Sequence, residues 1–285
     1  MKRTLSKLLF VMALFIGLQA IGLTNVLAND AVEQSWWGND EEEQTEELPD
    51  LRGGSEYENR IQEPVPQTLL QQLYPDTVFL SGPWAEKKVA ITFDDGPDPR
   101  FTPGVLEKLN EHNAAATFFL MGARAEANPD LARRIVEEGH DIGNHTYWHP
   151  DLVEEGSVDT LVNEVTKTED QIAEITGKRT SLFRPPYGFL YEKLVEELAD
   201  LQYNVIGWTV DSLDWQELPV DEITSNVVDN THPGAIILMH DGGVEEQDLT
   251  NTIESLDRII PELQEQGYEF VTVSELLNIP AEKAE

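Results

Sequence analysis

The sequence predicts an α/β protein, a distorted (β/α) barrel of about seven parallel strands. Three observations predict it. Short apolar runs alternate with helical stretches from about residue 67 to the C-terminus. That alternation is sustained over about 190 residues with short strands, which suits a closed or nearly closed barrel better than a wide open sheet. Unusual polar residues stand just beyond the strand ends, where parallel β/α folds gather their active sites.

The first strand is Val89-Ala90-Ile91-Thr92-Phe93, stopped by Asp94-Asp95-Gly96-Pro97. A helix follows from Pro103, with proline in its first turn and Val105, Leu106 and Leu109 on one face. Ala116–Leu120 reads as a buried strand. Pro129 opens a helix that buries Leu131, Ala132, Ile135 and Val136 and ends near Gly139. A longer helix covers 157–176, with Gly177 fitting its end. Leu182-Phe183 lead into Arg184-Pro185-Pro186-Tyr187, and a helix spans about 191–201. Tyr203–Val210 reads as one strand ending at Asp211, followed by a helix over roughly 220–229. Ala235–Met239 is a strand ending at His240. The last helix runs about 250–266, and Phe270–Val273 closes the series.

Composition bounds the function. A chain of 285 residues buries a core without covalent staples. No cysteine is present, which removes thiol nucleophiles, disulfides, iron–sulfur clusters and cysteine-rich zinc sites. Acidic residues number 54 against 19 basic ones, a net charge of −35. That balance argues against binding nucleic acid or an anionic membrane surface. Hydrophobic residues at 40% are enough to fold.

The N-terminus has its own logic. Lys2, Arg3 and Lys7 precede an apolar run from Leu8 to about Ile21, and small residues lead to Ala28. Residues 1–28 therefore read as a secretory signal peptide, or as a membrane anchor if uncleaved. Residues 29–66 hold twelve acids against two bases and no apolar period, so they are expected to be a disordered linker. Within it, Trp36-Trp37 reads as a docking element or an unstructured pair.

Each polar element has a chemical and a bland reading. Asp94 and Asp95 are a turn or capping pair, or two carboxylates aimed in opposite directions with separate roles. His145 and His149 lie four apart, which on a helical turn puts two imidazoles on one face for a divalent ion. Arg184, held stiffly before two prolines, makes a structural salt bridge or clamps a carboxylate such as Asp94. Asp214-Trp215 is a surface pair, or Asp214 partners a histidine while Trp215 lines a small pocket. His240 ends an apolar strand, and beside a metal and a carboxylate it suits a general acid. His112, His140 and His232 sit at helix ends or turns and read as structural.

Together these segments resemble the polysaccharide deacetylase family, the NodB-homology domain of carbohydrate esterase family 4. Five motifs occur in order: Thr92-Phe93-Asp94-Asp95-Gly96-Pro97, His145-Thr146-Tyr147-Trp148-His149, Arg184-Pro185-Pro186-Tyr187, Asp211-Ser212-Leu213-Asp214-Trp215 and Leu238-Met239-His240. The resemblance covers about 86–276 within a catalytic domain expected at 67–285. The resemblance implies a distorted barrel and one divalent metal, usually zinc, with cobalt, nickel and manganese as alternatives. It implies Asp95, His145 and His149 as metal ligands, Asp94 as base and Arg184 as the residue orienting it. His240 becomes the acid, Asp214 its tuning partner and the Tyr187 N–H an oxyanion donor, with Trp215 and Leu238 walling an acetate pocket.

The expected activity is hydrolysis of N-acetyl groups on N-acetylglucosamine-containing glycans, such as peptidoglycan or chitin oligosaccharides, by an exported monomer. An O-acetyl esterase on xylan or wall glycan, and a non-catalytic carbohydrate-binding protein, are the alternatives. The acidity, spread mostly over the folded domain, is expected to reflect a saline or alkaline exterior.

Overall fold

The structure, a computed structural model, describes residues 63–154 and 157–284. The expected signal peptide, the Trp36-Trp37 pair and nearly all of the acidic linker lie outside the described residues. The folded domain begins slightly before residue 67: Val65 packs beside Leu70 and Leu190, and its N–H donates to the Leu190 carbonyl at 2.8 Å.

In chain order the elements are α1 (Gln67–Leu73), β1 (Val78–Phe79), β2 (Lys88–Asp94), α2 (Thr102–Glu111), β3 (Ala116–Leu120), α3 (Gly122–Ala127), α4 (Pro129–Glu137), β4 (Asp141–Asn144) and α5 (Val158–Thr176). There follow β5 (Leu182–Phe183), α6 (Glu192–Asp200), β6 (Asn204–Ile206), β7 (Val210–Asp211), α7 (Val220–Val228), β8 (Ile236–His240), α8 (Thr250–Glu265), β9 (Glu269–Phe270) and α9 (Val273–Leu277). The sheet therefore has nine strands among the described residues, where about seven are expected from sequence.

Its order is β1-β6-β5-β4-β3-β2-β8-β7, parallel throughout, with β9 on the start of β2. The run Tyr203–Val210, read from sequence as one strand, is two. β6 and β7 lie near opposite ends of the sheet order, yet only residues 207–209 separate them. Gly207 N–H donates to the Phe79 carbonyl and Thr209 N–H to the Ile236 carbonyl. This connection, with an antiparallel bridge between Ser81 and Ala235, curls the sheet into a barrel. The closing segment differs too: only Glu269–Phe270 is strand, and Thr272 caps α9 by accepting the Glu275 N–H.

Alternation along β2 sorts the core. Val89, Ile91 and Phe93 pack outward with α2 and α8, against Leu106, Leu109, Ile259 and Leu263. Ala90 joins an inner cluster with Phe119, Leu182, Ile206 and Ile236. Thr92 and Asp94 continue this inner row toward the C-terminal rim. Helix α5 is fixed at both ends, by the Ser157 side chain accepting the Thr160 N–H and by Gly177 in the left-handed region at φ 76°.

Candidate active site

The strand ends deliver the expected residues to one rim. Asp94 is the last residue of β2 and pairs in register with His240, the last residue of β8. His145 follows β4, Arg184 follows β5, and Asp214 and Trp215 lie in a short 3₁₀ turn after β7.

Asp95 does not continue the extended strand. At φ 70° the chain turns there, which brings the Asp95 carboxylate to the same rim as that of Asp94. One Asp95 carboxylate oxygen lies 3.3 Å from Nε2 of His145 and 3.3 Å from Nε2 of His149. That oxygen is buried and makes no hydrogen bond. The ligand atoms of the three residues all lie within 4.8 Å of one another. A buried carboxylate oxygen without a donor, facing two imidazole nitrogens, has the chemistry of a divalent-cation site. His145 Nδ1 lies 2.7 Å from the Arg184 carbonyl, so it carries the proton and leaves Nε2 as the coordinating nitrogen.

The two histidines do not share a helical turn. Residues 145–149 form a loop in which Thr146 and His149 both have positive φ. Thr146 N–H donates to Asn144 Oδ1, and Thr146 Oγ1 accepts the His149 N–H. The i, i+4 convergence is thus made by a tight loop with two left-handed residues. Burial disfavours charge on both imidazoles. The carboxylates of Asp94 and Asp95 outweigh this for His145 and raise its pKa, whereas His149 falls to about 4.

Asp94 is buried, and its Oδ1 accepts from Arg184 Nη1 at 2.8 Å. Arg184 is wholly buried; it also donates to Thr92 Oγ1 and to the carbonyls of Ile206 and Gly207, and its guanidinium lies 4.2 Å from the Phe119 ring centroid. Burial lowers its pKa from the usual arginine range. On the other side of the site, Asp214 Oδ1 accepts from His240 Nδ1 at 2.8 Å and its Oδ2 accepts the His240 N–H. Burial opposes charge on His240, but Asp214, with Asp95 and Asp94 beyond it, outweighs burial and holds the imidazole up to about 10.

Tyr187 sits in a 3₁₀ turn at φ 58°, its ring edge-on to His149 at 4.7 Å between centroids. Leu238 is buried two residues before His240, on the same face of β8. Trp215 is exposed beside Asp214, and its carbonyl accepts from Gln247 Nε2. All ten expected residues therefore border one rim.

Other residues escaped the sequence reading. Thr92 bridges Arg184 and the Ile237 carbonyl, and Thr252 on α8 donates to Asp214 Oδ2. Asp241 is wholly buried; one oxygen accepts from Thr102 Oγ1, the other has no partner, and burial pushes its pKa up to about 7. Only the position of Asp241 beside His240 signalled it. Glu111, His112 and Asp257 also converge, but Lys108 lies 2.7 Å from Asp257 and 3.1 Å from Glu111 and supplies the countercharge.

Comparison with known proteins agrees with this geometry. The polysaccharide deacetylase family model matches residues 81–206. A peptidoglycan-N-acetylglucosamine deacetylase of Bacillus cereus is 42% identical over 205 residues, covering 71% of this chain and 73% of that protein. The chain belongs to the polysaccharide deacetylase family. A chitooligosaccharide deacetylase of Sinorhizobium fredii is 38% identical over 205 residues, covering 68% of this chain and 94% of that protein. The crystal structure of the Bc1960 peptidoglycan N-acetylglucosamine deacetylase superposes with a TM-score of 0.69 at 40% identity, covering 72% of this chain and 94% of that one. Membership makes the chain a hydrolase of the deacetylase type, and the curled parallel barrel is the fold of these deacetylases.

Proposed function

We infer that the protein is an exported, metal-dependent N-deacetylase of glycans containing N-acetylglucosamine, releasing acetate and a free amine. One observation carries the reading. Asp95, His145 and His149 converge between two pre-formed pairs, Asp94–Arg184 and Asp214–His240, on the rim of a deacetylase barrel.

Two imidazole nitrogens and one carboxylate oxygen suit zinc first, with cobalt, nickel or manganese as substitutes. Bound there, the ion supplies Lewis acidity toward the amide oxygen and a water of lowered pKa. The remaining chemistry falls to the chain. Asp94, held by Arg184, takes the proton of the attacking water. The backbone N–H of Tyr187 donates to the oxyanion as the carbonyl carbon becomes tetrahedral. His240, kept protonated by Asp214, gives the Nε2 proton to the departing nitrogen. Leu238 and Trp215 provide an apolar wall against the acetyl methyl.

Export is supported by the basic, apolar and small-residue order of positions 1–28. N-terminal sequencing of protein from the culture medium is expected to begin near Asn29. The activity test is acetate release from chitopentaose, peptidoglycan and acetylxylan, with metal content measured on the same sample. Release from the first two, abolished by chelation and by Asp94→Asn, is expected. Release from acetylxylan alone would make the protein an O-acetyl esterase. No release in any divalent metal would leave a binding protein.

A further inference from the structure

Next to the metal-binding histidines stands a feature that deacetylation chemistry does not use. Trp148 immediately precedes His149, and its side chain is 66% exposed. It is nonetheless rigidly mounted. One carboxylate oxygen of Glu164 on α5 accepts the backbone N–H groups of both Tyr147 and Trp148, at 2.8 and 2.7 Å. Tyr147 is buried and meets the Trp148 ring edge-on at 4.9 Å. A large flat apolar surface held this way costs little ordering entropy when it binds.

A cation accompanies it. Lys167, one helical turn beyond Glu164, places its ammonium 3.4 Å from the Tyr147 ring centroid and 5.6 Å from that of Trp148. Lys167 is exposed and, like Lys87 and Lys193, has no carboxylate within salt-bridge distance among the described residues. What sets Lys167 apart is its place, with its ammonium against the Tyr147–Trp148 aromatic pair beside the site. An ammonium there repels the glucosaminium product and favours an anionic group.

We propose that Trp148 and Lys167 form a sugar-binding subsite for an acidic residue of the glycan, Trp148 stacking on the pyranose and Lys167 pairing with the carboxylate of its 3-O-lactyl ether. This rests on the deacetylase reading above. The sugar meant is the N-acetylmuramic residue that alternates with N-acetylglucosamine in peptidoglycan, in strands from which the stem peptide has been removed and whose lactyl carboxylate is therefore free. Chitin oligosaccharides offer the same ring without the carboxylate, so the two halves of the subsite separate experimentally. Stacking serves both glycans, and the ammonium discriminates between them.

The test compares kcat/KM on two tetrasaccharides, one a peptide-free alternating N-acetylglucosamine–N-acetylmuramic acid glycan and the other chitotetraose. An exposed ion pair contributes about two- to fivefold. Lys167→Met is therefore expected to lower the acidic-to-neutral ratio of kcat/KM by about that factor, through KM, and Lys167→Glu by more. In wild type the ratio should fall toward the Lys167→Met value as salt approaches 1 M, where screening acts over about 3 Å. Trp148→Ala should lower kcat/KM on both glycans by about fivefold or more, with Trp148→Phe recovering most of it. Both side chains are exposed, so unchanged thermal unfolding serves as the folding check. A ratio unaffected by either Lys167 substitution overturns the subsite while acetate release continues. Absence of acetate from both glycans in the wild type instead overturns the deacetylase reading.

Discussion

The pair between Arg184 and Asp94 gives a test that does not depend on activity. Arg184→Met keeps most of the side-chain volume and removes the charge. The structure fixes what is lost: a 2.8 Å charge-assisted bond to Asp94, a 2.7 Å bond to Thr92 Oγ1, and donors to the carbonyls of Ile206 and Gly207. Asp94 is then buried without its countercharge. Removing one partner of a buried pair costs about 3–5 kcal/mol. For a domain of this size each kcal/mol lowers Tm by about 2–4 °C, so a fall of about 6–20 °C is expected. Asp94→Asn should cost a comparable amount, because it strands the guanidinium. The double variant strands neither charge, and should be more stable than the summed single effects predict by about 1–3 kcal/mol. Urea unfolding of the four proteins, with and without a chelator, measures the cycle. Additivity within about 0.5 kcal/mol would refute the argument, because it would mean that the two charges do not depend on each other.

Three further outcomes follow from the same geometry. Asp214→Asn keeps the hydrogen-bonding shape but removes the charge that holds His240 up to about 10, so the basic limb of the pH profile of kcat/KM should move down toward the ordinary histidine range; an unmoved limb would separate His240 from that limb. Asp241 ionises near 3.8 when unfolded but only at about 7 in the fold, so its contribution is present below about pH 4 and is lost as pH rises through 7. Asp241→Asn should therefore gain on the wild type in Tm between pH 5 and 8 and not below pH 4, and a difference independent of pH would count against it. Lastly, with 54 acids against 19 bases, added NaCl up to 1 M should raise Tm by screening self-repulsion, and a steady fall would remove salt adaptation as the reason for the acidity.

The sequence made the site legible because its motifs occur at strand ends, where topology alone brings distant residues together. Asp94 and His240 needed only the assignment of two apolar runs to parallel strands. What was not legible were features shorter than any period. Val78–Phe79 and Val210–Asp211 are two residues each, too short to show alternation, so the split between β6 and β7 could not be seen. Thr252 approaches Asp214 across 38 positions, and a helical threonine carries no sign of which carboxylate it will meet. The i, i+4 spacing of His145 and His149 predicts their convergence but not the loop that achieves it, because spacing reports distance along the chain and not the dihedral angles that fold it.

Those dihedral angles show how the site is built. Nine non-glycine residues among those described have positive φ. Asn113, Gln202 and Asn278 stand at the ends of α2, α6 and α9, where a left-handed residue is an ordinary way to stop a helix. The other six, Asp95, Thr146, His149, Tyr187, Leu213 and Glu217, all lie in the loops of the catalytic rim. Thr146 is β-branched, for which this region is markedly unfavourable. Such residues cost about 1–3 kcal/mol each and persist only where their surroundings over-determine them. Thr146 meets that condition: its N–H, hydroxyl and carbonyl bond to Asn144, His149 and Gly122. The rim motifs therefore specify backbone turns as much as side-chain chemistry. Asp95 faces the histidines and Asp94 faces Arg184 because the chain reverses hand between them. An Asp95 in extended geometry would leave the two carboxylates on opposite faces of a strand, with only one of them at the site.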